Sequence, residues 1–140
     1  MKILLPVDGS PCTQRMLSYV AAHPELVGPT HDLTFLTVVA PAPAQTVPGV
    51  ERQLQERECR EQAERVLGGV RAFAEQQHWT CRATHAVGHV AEEIARLAER
   101  ESFDLIVMGS HGHTAYGNVL LGSVTTGVLA RCKVPVLIVR

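Results

Sequence analysis

The sequence predicts a three-layer α/β sandwich in which helices cover both faces of a parallel sheet. Three observations predict it. The best strand candidates are continuously apolar, as strands buried on both faces are, and do not alternate. Segments with helical spacing lie between them, and strand and helix alternate along all 140 residues, which calls for parallel strands joined by right-handed crossovers.

The first strand is Ile3-Leu4-Leu5-Pro6-Val7, and Ser10-Pro11 then announces a helix: a side-chain oxygen at the N-cap, proline at the first helical position, and Met16, Leu17, Val20 and Ala21 on one face. Pro24 stops it. Leu33 to Val39 is the second strand, and the Pro/Ala-rich stretch from Ala40 to Gly49 reads as a mobile loop above the sheet. A long helix from about Val50 to Gln77 carries Leu54, Ala63, Val66, Leu67, Val70, Phe73 and Ala74 on one face. Its other face, rich in Glu and Arg, is solvated, and Gly68-Gly69 weakens its middle. Trp79 to Val87 is a more polar strand, as suits a sheet edge. Val90, Ile94, Leu97 and Ala98 mark a third helix, with Glu92 and Arg96 spaced to pair at i, i+4. Leu105 to Met108 is the fourth strand, a helix from about Ser123 to Arg131 follows, and Val134 to Val139 is the last strand.

Composition bounds the function. With 46% hydrophobic and 19% charged residues, the chain is neither disordered nor fibrous, and residues 1–140 read as one domain. Thirteen Lys and Arg against 14 Asp and Glu leave a net charge of -1, so no basic field draws it to nucleic acid or acidic lipid. Cys12, Cys59, Cys81 and Cys132 form no C-x-x-C pair and read as reduced, mostly buried thiols. The apolar run at Ile3–Val7 is too short for a signal h-region or a membrane span, and a cytoplasmic location is expected.

Ligands of such sheets bind beyond the carboxyl ends of the strands. Two segments fall there: Pro6-Val7-Asp8-Gly9-Ser10, and Gly109-Ser110-His111-Gly112-His113, which continues to Leu121-Gly122-Ser123-Val124 at the mouth of the last helix. Glycines let backbone N–H groups approach a ligand, and a helix N-terminus favours phosphate. From Leu105 to Ala130 there is no Asp, Glu, Lys or Arg, and the two lysines, Lys2 and Lys133, precede strands and so belong at the opposite edge. A phosphate on this loop is therefore held by backbone amides, by the hydroxyls of Ser110, Thr114 and Ser123, and by the helix end, aided by a metal ion or by His111 and His113. The lysine-bearing P-loop and G-x-G-x-x-G are both absent, which removes Walker-type ATPases and dinucleotide oxidoreductases. No nucleophile and base pair can be named, so no catalytic residue is assigned.

The spacing Gly109-x-x-Gly112, nine residues, then Gly122-Ser123, with the opening Ile-Leu-Leu-Pro-Val-Asp-Gly-Ser and the closing Val-Pro-Val-Leu-Ile-Val, resembles the universal stress protein family and its ATP-binding branch. The resemblance implies strand order 3-2-1-4-5 and ATP with Mg or Mn between the first and fourth strands. It implies that Pro6, Val7 and Asp8 border adenine and ribose with Val38, that Met108, Gly109 and Gly112 line the ribose and the phosphate approach, and that Gly122, Ser123 and Val124 wrap the phosphates. It also implies a homodimer through the last strand, Val136, Leu137, Ile138 and Val139. His113 stands where many members carry Arg or Lys.

Each feature has a plainer reading. The glycines suit turns, and Asp8 can serve the helix start at Gly9 and Ser10. His111 and His113 read as solvent-facing loop histidines. In the implied strand order they lie about 14 Å from His85 and His89, too far to share a metal ion, and no metal site is assigned. The expected function is an ATP-binding stress-response or regulatory protein. The alternatives are a slow ATP-hydrolysing enzyme and an interaction module of the same fold that binds no nucleotide.

Overall fold

A computed structural model describes residues 1–28, 30–41, 50–112 and 120–140, positions 50 and 51 for their backbone alone. The strands are β1 (Lys2–Pro6), β2 (Asp32–Val39), β3 (Cys81–Val87), β4 (Leu105–Gly109) and β5 (Val136–Val139). The α-helices are α1 (Pro11–Ala22), α2 (Val50–Gln76), α3 (Val90–Arg100) and α4 (Ser123–Arg131). The expected loop from Ala40 to Gly49 lies, apart from residues 40 and 41, outside the described residues.

All five strands pair in parallel in the order β3-β2-β1-β4-β5. Two clusters of apolar side chains hold the layers together. On one face Phe35, Leu5, Val107, Met16 and Leu67 pack under α1 and α2, and on the other Leu4, Leu36, Ile106, Ile94 and Val128 pack under α3 and α4. β1 and β4 are buried on both faces, which is why they read as continuous apolar runs. Each fully buried Leu, Ile or Phe contributes roughly 1.5–3 kcal/mol, and the central strands carry the most.

Ser10 caps α1, its hydroxyl accepting from Thr13 N at 3.3 Å, and a short 3₁₀ turn at Pro24–Leu26 continues the chain past the stop at Pro24. Gly68 and Gly69 lie on the solvent side of α2, and a Cβ at either would meet nothing within 4 Å. They weaken the helix and serve no packing need. Gly127 differs: its added Cβ would sit 2.7 Å from Ala91 Cβ, so α3 and α4 touch through two small residues.

Two local expectations are corrected. Arg96 pairs with Glu93, and not with Glu92, because Glu92 turns instead toward Arg131 of α4 (3.8 Å) and His89 (3.9 Å). All four cysteines are free, but only Cys12 and Cys59 are buried; Cys81 and Cys132 are half-buried. Among the described residues no helix is long and apolar enough to cross a membrane.

Candidate functional site

β1 lies between β2 and β4, so the strand order reverses at its carboxyl end, and the crevice of a doubly wound sheet opens at such a reversal. A cleft of about 270 Å³ lies there, close to the lower limit of small-molecule pockets. Pro6, Val7, Asp8, Val38, Met108, Gly109, Gly112, Gly122, Ser123 and Val124 all line it. The topology thus brings together ten residues drawn from three distant segments. Its apolar lining includes Val7, Leu36, Val38, Ile94 and Met108, and the described ends of the connection from β4 to α4, Gly109, His111, Gly112 and Gly122, line it as well.

Asp8 continues β1 past its last ladder partner. Its Oδ1 accepts from Ser10 N (2.9 Å) and from Thr13 Oγ1 (2.7 Å), while its own N–H donates to Thr13 Oγ1 (3.1 Å). The plainer role is therefore real: this carboxylate closes the turn that starts α1, helped by Gly9 at φ +75°. Its other oxygen, Oδ2, faces Gly112, where an added Cβ would come within 2.7 Å.

The two helix ends at the cleft differ in how they are satisfied. α1 is closed by Ser10 and Asp8, as above. α4 begins after Gly122, which has no side chain to cap it, and among the described residues no side chain caps its first turn. Gly122 instead donates its own N–H to Ser110 O at 2.7 Å, and Thr125 Oγ1 donates to the carbonyls of Gly109 (3.1 Å) and Ser110 (3.3 Å). These bonds tie the start of α4 to the end of β4, and among the described residues no side chain accepts from the first-turn amides at the cleft. A helix end of this kind carries about half a positive charge and suits an anion.

Gly109 has a packing reason to be glycine. An added Cβ there would lie 2.9 Å from Cys12 Cβ and 3.2 Å from Cys12 O, so α1 rests directly on the β4 backbone. His111 is corrected from a solvent-facing residue to a half-buried one lining the cleft, with Nδ1 3.1 Å from Ser110 Oγ. His113 and Thr114 lie outside the described residues.

The sequence reading missed several lining residues, among them Thr13, Thr37, Gln62 and Val66. Gln62 and Val66 are four apart on α2 and reach the cleft only because α2 crosses over β2; Val66 was legible as part of an apolar stripe and Gln62 carried no signal. Among the described residues no three His, Cys, Asp or Glu side chains gather as metal ligands.

A second groove of about 300 Å³ runs between β3 and α3. Its cations are matched by carboxylates: Arg96 to Glu93, and Arg82 and Arg100 both to Glu101. The hydrogen bond from Arg82 foremost, and then that from Arg100, holds the Glu101 carboxyl below its ordinary range. The first cleft, with its open helix end, is the better ligand site.

A doubly wound parallel sheet with a lined cleft at its point of reversal defines a class of small α/β ligand-binding proteins. Within that class, the model of the universal stress protein family matches residues 1–140, and the chain belongs to this family. It is 30% identical over 99% of its length to universal stress protein Slr1230 of Synechocystis, covering 42% of that protein. The matches span less than half the length of the curated relatives. Among solved structures it resembles MJ0577, whose namesake relative is from Methanocaldococcus jannaschii, with a TM-score of 0.77 and 29% identity over 99% of this chain and 94% of that one. It shares the fold of a universal stress protein in complex with cAMP (TM-score 0.71, 22% identity, covering 100% and 97%). It likewise shares that of an Arabidopsis thaliana family protein with AMP bound (TM-score 0.71, 14% identity, covering 99% and 90%).

Proposed function

We propose that this chain binds an adenine nucleotide, ATP with Mg or Mn in the first instance, and acts as a cytoplasmic stress-response or regulatory protein and not as an enzyme. The observation that carries this reading is the N-terminus of α4, which no described side chain caps, at a cleft that apolar side chains also line. An adenine ring suits the wall of Val7, Val38 and Met108, ribose hydroxyls suit Asp8, and phosphates suit the amides at Gly122, Ser123 and Val124, with Gly109 and Gly112 keeping the approach narrow. The cAMP and AMP complexes of family members support the same ligand class. The divalent ion arrives on the phosphates, and no protein ligand is assigned to it.

Calorimetric titration with Mg-ATP and with AMP tests this. Saturable heat is expected from each; no heat from either at about millimolar nucleotide, with the protein folded, overturns the reading. Chromatography of the supernatant after heat-denaturing freshly purified protein is expected to reveal co-purified nucleotide.

The proposed assembly is a homodimer through β5. The two edges of the sheet differ: β3 presents the exposed side chains of Arg82 and His85, which discourage pairing, whereas Val136, Leu137, Ile138 and Val139 hold no charge. Pro135 O and Val139 O accept from β4, so by the alternation of a parallel ladder Val136 and Ile138 turn their backbone groups to the open edge. Proline at Ile138 removes an outward donor and no internal bond. Ile138→Pro is accordingly expected to sediment as a folded monomer, and a folded variant that stays dimeric refutes this interface.

A further inference from the structure

The cleft has no fixed cation in its described wall. Of its described lining residues only Asp8 and His111 have ionisable side chains, and segments 42–49 and 113–119 contain no Lys or Arg. Among the described residues, an anionic group at the start of α4 therefore meets a helix end, one carboxylate and one imidazole.

His111 is next to that helix end. An added Cβ on Gly122, the N-cap of α4, would lie 3.2 Å from His111 Cα and 3.7 Å from His111 Cδ2, so the ring stands beside the first-turn amides. Ser110 orients it: that residue is buried, its N–H donates to Val139 O at 2.9 Å, and its Oγ lies 3.1 Å from Nδ1. Described residues that line the cleft together with the ring are the Asp8 carboxylate just past β1, Gly122 and Ser123 at the start of α4, and the neutral Gln62 of α2. Histidine is the side chain whose charge changes between about pH 5 and 8.

We propose that His111 is the cleft's switchable cation: protonated, it joins the α4 amides in holding a ligand phosphate, so that phosphate-bearing ligands bind more tightly as pH falls. This rests on the nucleotide reading above and adds to it a residue that sets which charge state of the site takes an anion. The sign follows from charge. With the imidazole protonated the anion gains a full positive neighbour; with it neutral, only the helix end remains, opposed by Asp8.

The test measures AMP and adenosine affinities by calorimetry at about pH 5.5 and about pH 8.0 for the wild type and for His111→Gln, His111→Arg and His113→Gln, with melting temperatures recorded alongside. AMP's own phosphate titrates in this range, so the informative quantity is the difference between wild type and variant at each pH. A charge-assisted hydrogen bond corresponds to roughly a tenfold change in affinity. Wild-type AMP affinity is expected to exceed that of His111→Gln by about tenfold at the lower pH and to converge with it at the higher. His111→Arg is expected to retain the advantage at both, and adenosine to discriminate none of the variants. A flat difference between wild type and His111→Gln, or a dependence that survives in His111→Gln and vanishes in His113→Gln, overturns the proposal while leaving nucleotide binding intact. Failure of both ligands and of Mg-ATP to bind at either pH overturns the nucleotide reading and this inference together.

Discussion

Valine at Gly112 is expected to abolish measurable binding of AMP and Mg-ATP while the protein still melts cooperatively. The added Cβ alone would sit 2.7 Å from Asp8 Oδ2, far inside van der Waals contact. Asp8 cannot step aside without cost, because its Oδ1 is held by Ser10 N and Thr13 Oγ1 at the start of α1. Either the carboxylate swings and gives up two hydrogen bonds, or the loop from β4 to α4 moves away from β1. Both displace groups that line the same cleft, and misplacement by an ångström suffices to lose a hydrogen-bonded ligand. The stability cost is about 1–3 kcal/mol, the usual range for overpacking, which a domain of ordinary stability survives. Calorimetry decides it, with thermal melting as the control for folding: undiminished affinity in Gly112→Val refutes the assigned site.

Alanine at Gly109 is expected to act first on stability. The new Cβ would press on Cys12 Cβ at 2.9 Å and on the Cys12 carbonyl at 3.2 Å. Backbone on both sides leaves no flexible side chain to yield, so α1 must lift from the end of β4, at a cost of roughly 1–3 kcal/mol. Urea denaturation measures it as a lower midpoint with an unchanged slope. Cys12→Ala is expected not to rescue the variant, since the obstruction is Cβ and carbonyl and not sulfur. Nucleotide affinity should fall as well, because Gly109 lies in the cleft wall and the end of β4 is bonded to α4 through Thr125. A Gly109→Ala protein as stable as the wild type rules out this packing account.

These two glycines mark how far the site was legible. Their spacing with Gly122-Ser123 stood out in the chain, and the topology brings them to one cleft with Pro6, Val7, Asp8, Val38, Met108 and Val124. The spacing could not disclose that Gly109 is required by α1 and Gly112 by Asp8, because both reasons lie in segments about a hundred residues away. His111 was misread for a related cause. Its place on a loop suggested solvent, yet the turn that bonds Gly122 N to Ser110 O folds the ring against the start of α4. Glu92 and Arg96 had the right spacing for a pair, but spacing on one helix is overruled when a neighbouring helix offers Arg131.

The sequence by itself determined the elements, because burial on both faces writes a continuous apolar run into β1 and β4, and a helix between strands leaves its own period. It also determined that the loop from β4 to α4 carries no Asp, Glu, Lys or Arg, since an absence is legible wherever it occurs. Only the tertiary structure decided which backbone groups remain open to a ligand. α1 is sealed by Ser10 and Asp8, α4 is capped by no side chain among the described residues, and both begin beside the same cleft. A helix end becomes a binding feature only where the crossing of the strands sets it against a space no side chain fills, and that juxtaposition is a property of the folded sheet.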